Sequence, residues 1–276
     1  MANANTAKVL VVTSGKGGVG KTTSTAALGA ALAQDGDKVV VVDFDVGLRN
    51  LDLVLGAERR VVFDLINVIQ GVAKLPQALI RDKRLENLFL LPASQTRDKD
   101  ALTEDGVAKV IDELRGKFDW IVCDSPAGIE RGATLAMRYA DTAVIVTNPE
   151  VSSVRDSDRI IGLLDAKTLK AERGERVDKH LLITRFTPAA AARGEMLTID
   201  DVLEILSCPL VGIIPESKEV LRASNVGSPV TLNNPLSAPA RAYFDAARRL
   251  KGEPLPMVVH GETKSIFTKL FARKAA

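Results

Sequence analysis

The chain of 276 residues has two cysteines, Cys123 and Cys208, one tryptophan and two tyrosines, and its aromatic content is 4%. Two cysteines cannot build a disulfide scaffold, and the absence of a C-x-x-C pair excludes the ligand spacing of a thiolate-bound cluster. Both read as small core residues. So few aromatics exclude a stacking platform for single-stranded nucleic acid. No uninterrupted apolar run reaches the length of about 18 residues that a spanning helix requires. Met1 to Lys8 lacks the basic and then apolar build of a secretory signal. A net charge of +2 creates no whole-molecule basic field. The histidines, His180 and His260, stand apart, without metal-ligand spacing.

What the sequence does contain is a series of short Val/Ile/Leu runs: Val9–Val12, Val39–Val42, Leu88–Leu91, Trp120–Cys123, Ala143–Val146, Leu181–Ile183 and Leu210–Ile214. They are continuous rather than alternating, the signature of strands buried on both faces. Amphipathic helical stretches lie between them, at Thr22–Gln34, Leu102–Leu114, Ile129–Tyr139, Ser153–Asp165, Ile199–Leu206 and Pro239–Leu250. The alternation predicts an α/β fold: one domain, with a mostly parallel twisted sheet and helices on both faces.

Residues 15–22 read Gly-Lys-Gly-Gly-Val-Gly-Lys-Thr and satisfy G-x-x-x-x-G-K-[ST] between the first strand and the first helix. There the glycines let backbone N–H groups turn toward phosphate oxygens, and the helix N-terminus adds partial positive charge. Lys21 is placed to reach the β- and γ-phosphates, and the Thr22 hydroxyl to ligate magnesium. The same loop contains G-x-G-x-x-G at Gly15, Gly17 and Gly20, which keeps a dinucleotide-binding fold in competition. The Lys21-Thr22 pair and a second strand-end acid, Asp124, favour a magnesium–triphosphate site. Asp43, Asp45 and Asp124 all fall at or just past strand carboxyl ends, where such sheets bind ligands. Lys16, a second lysine five residues before Lys21, lies too close to the phosphate cage to be expected idle, the alternative being a solvated loop cation.

With that lysine, Lys-Gly-Gly-Val-Gly-Lys-Thr resembles the deviant Walker A motif of the MinD/ParA group of ATPases. Three longer strings resemble the septum-positioning branch of the group: Asp43 to Asp52, Cys123 to Glu130 and Pro149 to Asp158. The resemblance implies ATP and Mg2+ as cofactors and an ATP-dependent homodimer with both nucleotides at the interface. It further implies recruitment of a MinC-like division inhibitor and stimulation by a MinE-like ATPase activator. Carried over by position, Lys16, Gly17, Gly18, Val19, Gly20, Lys21, Thr22 and Thr23 hold the phosphates, with Lys16 crossing to the partner's nucleotide. Asp45 positions or activates the attacking water, Asp43 and Asp124 flank the metal with Thr22, and Thr184, Arg185, Pro215 and Glu216 frame adenine. A partitioning relative acting on DNA or on polar protein cargo is the alternative within the group.

From Lys251 the composition changes. Gly252, Pro254 and Pro256 break regular structure, and a basic segment closes the chain. At 100° per residue, Ile266, Phe267, Leu270 and Phe271 share one sector of about 140°; Thr268, Lys269, Ala272 and Arg273 fall outside it, and Lys274 falls within it. That is the pattern of an interfacial helix on an anionic membrane. The expected organisation is an ATPase domain over 1–250, a linker over 251–263 and a membrane-targeting peptide over 264–276. With the resemblance, this implies a cytoplasmic protein that becomes peripheral on the inner membrane when ATP is bound, with nucleic acid not among its partners.

Overall fold

The computed structural model describes residues 7–95 and 99–260. Eight strands form one sheet: β1 (Lys8–Thr13), β2 (Val39–Asp43), β3 (Ile80–Arg81), β4 (Leu88–Leu91), β5 (Trp120–Asp124), β6 (Thr142–Thr147), β7 (Asp178–Phe186) and β8 (Leu210–Pro215). Their order is β3-β4-β2-β5-β1-β6-β7-β8. All neighbours run parallel except the edge pair β3–β4. Every residue of β2 and β5 is buried, as expected of strands covered on both faces.

Each face of the sheet carries its own apolar layer. On one, the helices Lys21–Gln34 and Ala238–Leu250 pack through Leu28, Leu32, Tyr243 and Leu250. On the other, Glu104–Arg115, Arg131–Arg138 and Val151–Lys167 cover Val11, Val42, Ile121 and Ile145. The predicted class and every predicted strand are present. The strand Ile80–Arg81, whose two residues are too few to show a pattern, and the helices Leu51–Val54 and Lys218–Asn225 are not predicted from sequence. Among the described residues, no helix is long and apolar enough to cross a membrane.

After Leu250 the chain leaves regular structure but stays on the domain. Arg249 donates to the carbonyls of Val211 (2.9 Å), Leu255 (3.2 Å) and Pro256 (2.6 Å). His260 Nε2 pairs with Asp245 Oδ2 at 2.7 Å, and Met257 and Val259 pack against the core. The segment expected to be a linker is thus docked as far as residue 260. The expected peptide 264–276, with Ile266, Phe267, Lys269, Leu270 and Phe271, lies outside the described residues.

Candidate nucleotide-binding site

The carboxyl ends of the parallel strands open at one edge of the sheet, and the predicted polar residues gather there. After β1, the loop turns into the helix Lys21–Gln34. Gly15 leaves no room for a side chain, since a Cβ would stand 2.2 Å from the carbonyl oxygen of Asp156 on the helix Val151–Lys167. Gly18 and Gly20 take left-handed φ values of 78° and 96°. Gly20 is the N-cap of the helix and offers no side-chain cap, so the first-turn N–H groups face what the loop encloses. Lys21 is buried at this helix start.

Asp124 closes β5 behind the loop. It accepts the Thr25 hydroxyl at 3.0 Å and the Thr22 hydroxyl, and the Lys21 charge lies near. Burial pushes its carboxyl up to about 6 against these stabilising contacts, and the Asp45 charge adds to the rise. Asp43 is its register partner at the end of β2. The Asp43 carboxylate accepts the N–H of Asp45 at 2.8 Å and that of Leu51 at 3.2 Å, and so holds the 44–51 segment in its turn. Burial and then the Asp124 charge raise the Asp43 carboxyl well above the ordinary range.

Asp43, Asp124 and the Thr22 hydroxyl form an all-oxygen donor set, suited to a hard cation. Among the described residues, no three His, Cys, Asp or Glu side chains gather as a metal cage. Magnesium does not require one, because it retains waters and takes phosphate oxygens.

Lys16 points elsewhere. Its Nζ lies 3.0 Å from Glu150 Oε2 and 3.0 Å from Ser152 Oγ, and its side chain remains 41% exposed. The Lys16 hydrogen bond holds the Glu150 carboxyl below its usual range. Both partners lie within the string Pro149 to Asp158, where sequence assigns neither a role.

Beyond the loop, a cleft of about 390 Å³ opens between Val19, Thr23, Thr184, Arg185, Pro215 and Glu216, which brings the four expected adenine residues together. The Thr184 hydroxyl, 2.7 Å from Val19 O and 2.8 Å from Asn148 Oδ1, ties this cleft to the phosphate loop. Its outer wall is the unpredicted helix Lys218–Asn225, through Val220, Leu221 and Ser224. Two further supports escape the sequence reading: Thr25, and the Ser24–Tyr243 hydroxyl pair at 2.9 Å on the cleft's inner side. Thr25 follows Lys21 by one helical turn, and that spacing is the only signal for it.

Fold, loop and buried carboxylates define a P-loop nucleoside-triphosphate hydrolase of the deviant Walker A kind. Residues 10–230 match the CobQ/CobB/MinD/ParA nucleotide binding domain. The chain is 60% identical to the septum site-determining protein MinD of Escherichia coli K12 over 268 residues, 96% of this chain and 99% of that protein. Its structure resembles MinD of the Aquifex aeolicus MinC:MinD cell division protein complex, with a TM-score of 0.81, 42% identity and coverage of 92% and 100% of the two chains. MinD from Pyrococcus horikoshii in complex with Mg-ADP gives a TM-score of 0.78 at 31% identity, over 88% of this chain and 96% of that one. The chain belongs to the MinD family of septum site-determining ATPases.

Proposed function

We propose that the chain is a magnesium-dependent ATPase that works as a reversible membrane switch, placing the division septum by bringing a MinC-like inhibitor to the membrane. The observation that carries this reading is the division of labour between two loop lysines. Lys21 is buried at the helix start with its charge near Asp124, while Lys16 stands apart at an exposed ion pair.

In this reading residues 16–23 hold the phosphates by N–H groups and by Lys21. Thr22, with Asp43 and Asp124 behind it, holds magnesium, which when bound neutralises charge on the phosphate oxygens. Asp45 positions the attacking water in line with the γ-phosphate. Thr184, Arg185, Pro215 and Glu216 frame the adenine. Lys16 exchanges Glu150 for the phosphates of a second copy, so two ATP molecules join two chains. The dimer is the membrane-active state, carried by residues 264–276 on the cytoplasmic face of the inner membrane, and a MinE-like activator returns it to monomer by stimulating hydrolysis. The ATPase domain, with the stretch docked on it as far as residue 260, serves as the engine.

Sedimentation velocity of the full chain with Mg-ATP, Mg-ADP or no nucleotide tests the core of this reading. A dimer with ATP alone is expected. A single species in all three conditions would overturn it.

A further inference from the structure

Arg84, in the turn between β3 and β4, joins two segments that adjoin the nucleotide site. Its Nε and Nη2 bind Asp82 Oδ1 and Oδ2 at 3.2 and 2.8 Å. Its Nη2 also donates to Leu55 O at 2.9 Å, and its Nη1 to Gly227 O at 3.0 Å. Asp82 is buried and accepts the N–H groups of Arg84 and Leu85 as well, so the guanidinium is fixed at its base before it reaches outward. Burial alone would raise the Asp82 carboxyl, but the Arg84 hydrogen bonds hold it below its ordinary range.

The two carbonyls belong to different working segments. Leu55 ends the helix Leu51–Val54, whose first N–H is held by Asp43. Gly227 lies two residues past the helix Lys218–Asn225, the outer wall of the base cleft. Between them the backbones touch. A Cβ on Gly56 would lie 2.6 Å from Gly227 O, and one on Gly227 would lie 2.7 Å from Gly56 Cα. Both glycines take left-handed φ, 63° and 65°, so neither side of the contact admits a side chain without strain.

We propose that Arg84 is a positioning residue for nucleotide-base selection, which locks the base-cleft wall to the segment behind Asp43 by bonding Leu55 and Gly227 at once. The inference rests on the cleft's being the adenine site. The planar fork is what the role requires, because a lysine cannot hold a carboxylate and two divergent carbonyls together. Release of the clamp lets the wall move outward, which weakens contacts to the base and leaves the phosphate cradle intact.

The test is the ratio of affinities of the full-length chain for Mg-ADP and Mg-IDP, whose base differs at the 6-position, measured by calorimetry. Arg84→Ala should lower this selectivity by about tenfold, the scale of one lost charge-assisted hydrogen-bond set, through weaker ADP binding. Arg84→Lys and Asp82→Asn should fall between the parent and Arg84→Ala. They carry the test alone if Arg84→Ala does not fold. A purely structural role would reduce the binding-competent fraction for both nucleotides alike and leave the ratio unchanged. An unchanged ratio in the folded variants, with a selective parent, overturns the clamp and leaves the adenine site standing. A parent that binds both nucleotides equally overturns both.

Discussion

Lys16 Nζ rests 3.0 Å from Glu150 Oε2, on the helix that follows β6, rather than over the cradle formed by its own loop. The lysine is therefore free to change partners without disturbing Lys21. Lys16→Ala should bind Mg-ADP within about threefold of the parent, less than the factor of 10 that 1.4 kcal/mol represents, yet lose ATP-dependent dimerisation. Calorimetry and sedimentation velocity on the same preparation read both properties. A variant that dimerises like the parent would remove Lys16 from the interface.

Asp45 follows β2 closely, and its N–H is anchored by Asp43 at 2.8 Å, which fixes the backbone at the position assigned to water. A group that acts on the attacking water contributes to the transition state and little to ground-state binding. Asp45→Ala should lower kcat by roughly 10²–10⁴-fold, the range for such positioned groups, while ATP-induced dimer persists. Single-turnover hydrolysis with a parallel dimer assay checks this. Loss of ATP binding with turnover per bound nucleotide unchanged would assign the role elsewhere.

Asp124 gives a pH-dependent stability effect with a fixed sign. Its folded carboxyl stands at about 6, above the unfolded value of 3.8. Between these values the folded chain binds more protons than the unfolded chain, so stability falls as pH rises and the deficit is complete above about 6. Asp124→Asn should therefore raise the Tm of nucleotide-free, EDTA-treated protein at pH 8. The gain should shrink through pH 6 and vanish near pH 4, while ATPase activity is lost. Thermal scans across this range test it, and a gain independent of pH would contradict the assignment.

Gly15 tolerates no added carbon because the Asp156 backbone occupies the space. Gly15→Ala should destabilise the fold by roughly 1–3 kcal/mol, as overpacking does, and displace the phosphate loop from the helix Val151–Lys167. Chemical denaturation and Mg-ADP titration measure the two effects. A variant with parental stability and affinity would contradict the observed contact.

The strands and main helices were legible because each repeats one physical pattern over several residues. Val39–Val42 announces a strand covered on both faces, and Gly15–Thr22 announces its own turn and helix start. Two-residue β3 and four-residue Leu51–Val54 carry too few positions for periodicity, and tertiary contacts hold them in place. At the site, Lys21, Thr22 and Asp124 were visible from motif and strand end. The pairing of Lys16 with Glu150 and Ser152 joins residues more than 130 positions apart, and no local pattern encodes it. The same holds for Arg84, whose partners Leu55 and Gly227 offer backbone carbonyls and therefore leave no side-chain signature.

The proposed membrane gating rests on bivalency. Ile266, Phe267, Leu270 and Phe271 contribute at most roughly 1.5–3 kcal/mol each on burial. In the proposed reading, ordering so short a segment offsets much of that, so one copy is expected to bind weakly. The proposed ATP dimer would present two copies, the second engaging at high effective concentration. Co-sedimentation of the full chain with anionic liposomes, with Mg-ATP, Mg-ADP or no nucleotide, tests this most directly. Binding should require ATP, weaken with added salt, and disappear on deletion of residues 264–276 while ATP-driven dimerisation survives. Equal sedimentation with ADP and ATP, or undiminished binding after the deletion, would contradict the account.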